Sequence, residues 1–131
     1  MTKTIEEVRA AAERLMEAFS TGDEDGYFDC FQPDATFFFY GQDLIGSREE
    51  YRAAVRSWKA EHGFRVLSAK SRDADIRLFG DTAIFTHRVT TIQMWDGEES
   101  TLHERESIVF QRQGDGGWLA IHEHLSSDGT S

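Results

Sequence analysis

The spacing of apolar residues is helical in the first part of the chain. Between Thr4 and Phe19, apolar residues recur at steps of three and four, which predicts an amphipathic helix with one buried face. Thr4 and Glu7 have the spacing of a capping box, the hydrogen-bonded start of a helix. A second, shorter helix is predicted over residues 23–31, because Pro33 disfavours helix in the residue before it. Two helices are therefore expected at the start of the chain.

A strand and a third helix are predicted to follow. Residues 35–40 are dense in Phe and other β-formers, so we expect a short strand buried on both faces. Ser47 and Glu50 form a second capping box at the start of the third helix, which ends at His62. The apolar stripe of this helix consists of Tyr51, Ala54, Val55 and Trp58.

After Gly63 the helical spacing is absent, and four β-like runs follow. Turns rich in Gly and Asp separate them, and short turns of this kind connect antiparallel neighbours. The runs are residues 64–79, 82–95, 99–113 and 117–126. We therefore predict an α+β protein whose second half forms an antiparallel sheet.

The turns also predict which residues face each other across the strands. If the turn between the second and third runs has two residues, His87 lies opposite Glu106. The next turn likewise sets Phe110 opposite Ile121. One face is then mostly apolar, with Phe85, Val89, Ile108, Phe110, Ile121 and Leu125, and we expect it to pack against the helices. Four polar residues interrupt this face, namely His87, Glu104, Glu106 and Glu123.

The opposite face of the sheet has a mixed character. Its apolar residues are Ile84, Val109, Trp118 and Ala120, and its polar residues are Arg88, His103, Arg105, Ser107, His122 and His124. A mixed face in a short chain commonly packs against a second subunit, so we expect a homodimer. A zinc site at His122 and His124 would need a third ligand such as His103, and no Cys assists, so no metal is expected.

Composition limits the classes of partner. The 131 residues include 14 Lys and Arg against 24 Asp and Glu, and the formal net charge of −10 would repel nucleic acids and anionic membranes. No apolar run is long enough to span a membrane, and the Glu residues near the start are unlike a secretory signal. Cys30 is the only cysteine and has no disulfide partner. We therefore expect a cytoplasmic protein of one domain over residues 1–131, with an ordered core over about 4–126.

The acidic residues on the apolar face are the candidate chemistry. An unpaired buried charge is costly, so these groups need a partner or a cavity. Apolar surroundings raise the pKa of a carboxyl toward neutrality, which suits a general acid or base. We interpret Glu106 as a catalytic base and His87 as its hydrogen-bond partner or proton shuttle, and a satisfied core pair is the alternative. The expected pocket lining is Trp58, Phe37, Phe39, Tyr40, Phe85, Glu104, Phe110 and Tyr51.

Three motifs carry a family resemblance. They are F-x-P-D-A at residues 31–35, R-x-S at 105–107 and G-G-W-L-A-I-H-E-H-L-S at 116–126. With the order of helices and strands, they resemble the SnoaL-like branch of the nuclear transport factor 2-like superfamily, nearest to the association domain of calcium/calmodulin-dependent kinase II. The resemblance implies a curved antiparallel sheet wrapped around three N-terminal helices, forming a cone with an internal pocket that Trp58 reaches. It also implies a homodimer through the outer sheet face.

The resemblance leaves the activity open, because its members include isomerases, dehydratases, cyclases, hydrolases and binding-only domains. We expect a cofactor-independent enzyme that does acid–base chemistry on a small apolar or aromatic substrate. The alternative is a non-catalytic ligand-binding or assembly domain. It would bind a small carboxylate through Arg88 and Arg105, whose planar guanidinium groups suit carboxylates. That alternative requires the face that carries His122 and His124 to line the cone.

Overall fold

Eight elements follow one another in the computed structural model, which describes residues 2–129. They are α1 (Thr2–Thr21), α2 (Glu24–Phe28), β1 (Phe31–Phe39), α3 (Arg48–His62), β2 (Arg65–Phe79), β3 (Thr82–Trp95), β4 (Glu98–Arg112) and β5 (Trp118–Ser127). The strands form one curved sheet in the order β1-β5-β4-β3-β2. β2 to β5 pair antiparallel with their chain neighbours, and β1 adds parallel to β5. The predicted α+β cone, with the sheet wrapped around the helices, is confirmed.

The third helix has the predicted ends. Ser47 Oγ accepts a hydrogen bond from the backbone N–H of Glu50 at 3.1 Å, as an N-cap residue does, and donates one to the Glu50 carboxylate at 3.0 Å. At the other end, Gly63 adopts a left-handed conformation with a φ of 62°, which costs glycine little because it lacks a Cβ. The helix buries Tyr51 and Val55. Within residues 2–129, no helix is both long and apolar enough to cross a membrane.

The first two helices differ from the prediction at their ends. α1 begins at Thr2, so Thr4 lies inside the helix rather than at its cap. α2 ends at Phe28 and not at residue 31, because Phe31 already belongs to β1. The ring of Phe31 is fully buried, with its centroid 5.2 Å from that of Tyr27.

The first strand is buried on one face only, contrary to the prediction. Ala35, Phe37 and Phe39 point into the core, whereas Phe38 between them is 48% exposed. The ring of Phe38 stacks on His124 of β5 at a centroid distance of 5.6 Å. β1 is an edge strand that covers the helices with one face, so its side chains alternate between core and surface.

The hairpin between β3 and β4 has the predicted register, with His87 opposite Glu106. Its turn residues Asp96 and Gly97 have φ angles of 52° and 77°. Two successive positive φ angles are typical of the type I′ turn that suits the twist of antiparallel strands. The register therefore places His87, Glu104 and Glu106 on one face, and all three are buried.

The pairing of β4 with β5 corrects the second predicted register. A β-bulge shifts the partner of Phe110 from Ile121 to Ala120. The extra residue reverses the alternation of faces before the bulge, so Trp118 and Ala120 are buried in the core instead of lying on the outer face. Ile121, predicted to face the helices, is only half-buried.

Candidate active site

A cavity of about 280 Å³ lies between the concave face of the sheet and the helices. Aromatic side chains form much of its wall, among them Phe39, Tyr40, Tyr51 and Trp58. Three carboxyl groups also line it, those of Glu104 and Glu106 on β4 and Glu123 on β5. The lining contains no Lys or Arg among the residues that the structure describes. The cavity is therefore apolar and acidic.

Glu106 and Glu123 form a hydrogen-bonded carboxyl pair in the cavity wall. They lie on adjacent strands and are only 8% and 3% exposed. Burial raises the pKa of both, and the charge of Glu106 raises the pKa of Glu123 further, well above its usual range. Two carboxylates in contact cannot both ionise cheaply, so the pair retains one proton. We place that proton on Glu123, which donates it in a hydrogen bond to Glu106.

His87 supports Glu106 from behind the wall. Its Nε2 lies 2.7 Å from Glu106 Oε1, and its Nδ1 lies 2.6 Å from Ser71 Oγ. Burial lowers the pKa of His87 from 6.5 to about 4, so the ring is neutral at neutral pH. In the tautomer that satisfies all three groups, Ser71 donates to Nδ1 and Nε2–H donates to Glu106. The contact is therefore a hydrogen bond with a neutral imidazole rather than an ion pair.

Two tyrosines continue the network on the other side of the pair. The hydroxyl of Tyr27 donates to Glu123 Oε1 at 3.2 Å, and the Tyr51 hydroxyl lies 2.9 Å from that of Tyr27. Burial and the nearby Glu123 raise the pKa of both phenols well above their usual value, so both stay protonated. Since Tyr27 gives its proton to Glu123, Tyr51 donates to Tyr27.

Glu104 forms a separate pair with Tyr40. The Tyr40 hydroxyl donates to Glu104 Oε2 at 2.6 Å. Burial raises the pKa of Glu104, and the hydrogen bond from Tyr40 partly opposes that effect. Glu104 is buried while the Tyr40 side chain is exposed, so this pair reaches from the cavity to the surface.

The structure divides the predicted pocket residues into two groups. Trp58, Phe39, Tyr40, Tyr51, Glu104 and Glu106 line the cavity. Phe37, Phe85 and Phe110 do not line it, because other side chains cover them and they fill the core. His87 does not line it either and reaches it only through Glu106.

The residues of the second predicted group all lie outside the cavity lining. Arg88 faces Asp128 at 3.6 Å, and Arg105 donates to the Ser127 carbonyl at 3.4 Å. His122 bonds to Thr36 Oγ1 at 2.8 Å, and His124 stacks on Phe38. The arginines are thus absent from the interior, where the carboxylate-binding alternative needs them. Among residues 2–129 no group of three or more His, Cys, Asp or Glu side chains is placed to hold a metal ion.

Two residues of the site, Glu123 and Tyr27, were not among the site residues predicted from the sequence. Glu123 appeared in the sequence only as a polar interruption of the apolar face, and its contact with Glu106 depends on the pairing of β4 with β5. Tyr27 lies on a helix of five residues, and the spacing of apolar residues along the sequence does not predict how such a helix packs on the sheet. The presence of the acidic residue Glu123 on the apolar face of the last strand was the sequence signal that could have identified the carboxyl pair.

Residues 8–128 match the family model of the SnoaL-like domain. The chain belongs to the SnoaL-like domain family. This SnoaL-like domain is also similar to an NTF2-like protein of unknown function in nutrient uptake from Rhodospirillum rubrum, at 25% identity. The alignment covers 92% of this chain and 97% of that protein, with a TM-score of 0.79. No protein of curated function matches the sequence.

Two further structures share the fold of this SnoaL-like domain. A ketosteroid isomerase-like protein from Erwinia carotovora has 15% identity and a TM-score of 0.77, with 93% of this chain and 94% of that one covered. A putative dehydratase from Streptomyces avermitilis has 19% identity and a TM-score of 0.81, with 98% and 99% covered. The nearer relation to the kinase association domain stays a prediction.

Proposed function

We propose that this SnoaL-like domain is an enzyme that uses its own carboxyl groups to move protons on a small neutral substrate. The observation that carries the proposal is the pair Glu106 and Glu123, buried in a cavity wall and hydrogen-bonded to each other. A pair that retains one proton at neutral pH offers both a base and an acid. Carboxyls with raised pKa values are suited to general acid–base catalysis at neutral pH.

Glu106 is the base in this proposal. It accepts hydrogen bonds from His87 and Glu123, which stabilise its negative charge. Glu106 also lines the cavity, where a substrate would bind. Glu123 is the acid, and the Tyr27 hydroxyl fixes its orientation. Glu104 with Tyr40 adds a second polar contact at the cavity.

The substrate class follows from the lining. Phe39, Tyr51 and Trp58 offer aromatic faces, which favours an apolar or aromatic molecule. Three carboxyls without a Lys or Arg in the described lining disfavour an anionic substrate. A cavity of about 280 Å³ suits a small molecule.

The names of two neighbours support a reaction class. One is called ketosteroid isomerase-like and another a putative dehydratase. Both activities need a proton taken from carbon and a proton given elsewhere. An isomerase or lyase type of reaction is therefore the form of acid–base chemistry that we propose, with cyclase and hydrolase types as its nearest variants.

The proposal is tested with a panel of small neutral aryl ketones in D₂O, following exchange of the hydrogens next to the carbonyl by NMR. Glu106→Gln and Glu123→Gln should each slow exchange by about 100-fold or more, the usual contribution of a general acid or base. Glu99→Gln, at an exposed position on the same strand, is the matched control and should retain the wild-type rate. Ketones that bind the wild type without exchange would instead identify a non-catalytic binding domain.

We also propose a homodimer through the convex face of the sheet. Phe38 is 48% exposed there beside His124, an apolar patch that a second subunit would cover. Sedimentation should give twice the 14.9 kDa of the chain, and Phe38→Asp should shift the mass toward the monomer. A larger ring would favour the assembly alternative.

A further inference from the structure

A chain of hydrogen bonds leads from the cavity wall to the edge of the sheet. It begins at Glu106, passes through His87 at 2.7 Å and ends at the hydroxyl of Ser71 at 2.6 Å. The His87 side chain has no exposed surface, whereas Ser71 is an exposed residue of the edge strand β2. A buried histidine thus connects a cavity carboxyl with a group that water reaches.

The fold explains how Ser71 reaches the imidazole. Ser71 pairs with Val89, two residues from His87 on the same face of β3, so its hydroxyl lies diagonally across from the ring. The register of β2 shifts between Arg72 and Asp75, and this bulge lies opposite His87. Bulges bend a strand and re-aim its side chains.

All hydrogen bonds of the chain can run in one direction. Ser71 donates to Nδ1 of His87, and the Nε2–H of His87 donates to Glu106. Both ring nitrogens therefore have a hydrogen-bond partner. A neutral imidazole has one donor and one acceptor nitrogen, which is the arrangement that passes a proton from one side to the other. The low pKa of His87, about 4, is consistent with a ring that is neutral between transfers.

We propose that Ser71 and His87 form a proton relay between bulk water and the carboxyl pair of Glu106 and Glu123. The inference rests on the proposed function, since a proton-transferring pair needs a route for its protons. In one transfer, a hydronium ion of the bulk solvent gives a proton to Ser71 Oγ and becomes water, the Ser71 hydroxyl proton moves to His87 Nδ1, and the Nε2 proton moves to Glu106 Oε1. The carboxyl pair gains one proton and His87 ends as the neutral Nδ1–H tautomer. The reverse sequence returns a proton to water and restores the ring.

The relay approaches the pair from the side away from the ligand. A substrate that fills the cavity separates Glu106 and Glu123 from the water in its mouth. The route through Ser71 stays open in that state, so the pair can change its protonation before the product leaves. Ser71 acts through His87 and does not line the cavity, so it is a positioning and relay residue.

The test measures proton exchange at His87 in the ligand-free protein by NMR, with ring-labelled histidine. His87→Gln assigns the signal among the five histidines. The ring should be the Nε2–H tautomer in the wild type. Ser71→Val, which removes the hydroxyl and fills its space, should slow exchange of the Nε2 proton with water by about tenfold or more, a factor of ten being ~1.4 kcal/mol of barrier. Ser71→Thr keeps a hydroxyl and should restore the wild-type rate.

The results distinguish a proton relay from a Ser71–His87 hydrogen bond that has only a structural role. Slow exchange in Ser71→Val with recovery in Ser71→Thr supports the relay. Equal exchange in all three proteins overturns it, even if the tautomer changes, because protons then reach His87 through the cavity. Ser71→Ala repeats the comparison with a smaller side chain should Ser71→Val fold poorly. Because no substrate enters the measurement, its failure is separate from a failure of the ketone assay.

Discussion

Replacing His87 with Gln tests whether this histidine is neutral inside the protein. Gln keeps an N–H donor for Glu106 and an oxygen acceptor for Ser71, but it does not titrate. Because burial lowers the pKa of His87 from 6.5 to about 4, the unfolded chain binds a proton there in this range and the folded chain does not. Acidification should therefore destabilise the wild type more than His87→Gln.

The size of the effect follows from the two pKa values. At ~1.4 kcal/mol for each pH unit, the interval from 6.5 to about 4 corresponds to ~3 kcal/mol in the free energy of unfolding. This stability is fully present above pH 6.5 and is lost as the pH falls to about 4. The wild type should lose ~3 kcal/mol more than the variant across this range.

Urea unfolding at a series of pH values, followed by tryptophan fluorescence, measures the difference. If the wild type and His87→Gln lose the same stability on acidification, the ring is not held neutral, and the direction of its hydrogen bonds given above is wrong.

Three other substitutions test separate features by the same unfolding measurement. Burial raises the pKa of Glu123, so the folded state keeps a proton that the unfolded chain releases above pH 4.5. The contribution of Glu123 to stability should therefore fall as the pH rises above 4.5, and Glu123→Gln should remove that contribution. Phe37→Ala should cost about 3–5 kcal/mol because its ring is fully buried. Gly97→Ala should cost about 1–2 kcal/mol, because its φ of 77° is unfavourable for a residue with a Cβ.

The sequence pattern predicted the structure correctly where a single local rule determines it. The Asp96-Gly97 turn and the alternation of side chains along a strand fixed the β3–β4 register, so the contact of His87 with Glu106 was predictable. Ser47 and Gly63 marked α3 in the same way, since capping chemistry is local.

The prediction failed where one extra residue or a distant element decides the outcome. The bulge in β5 has no marker in the sequence, and it moved Ala120 from the outer face to the core. Whether Phe37 or Phe39 faces the cavity depends on how the helices sit on the sheet, which periodicity does not describe. Ser71 joins His87 only because β2 pairs beside β3 with a shifted register.

The arrangement around Glu106 explains how a buried acid can remain a base. Burial raises the pKa of Glu106, which favours the protonated form, while the hydrogen bond from Glu123 lowers this pKa. His87 adds a second donor without adding a charge, because the ring is neutral. The two donors thus hold the single negative charge of the pair on Glu106, which lines the cavity. Removing either donor should therefore reduce the carboxylate fraction of Glu106 at neutral pH, a change that infrared spectroscopy of the carboxyl groups would register.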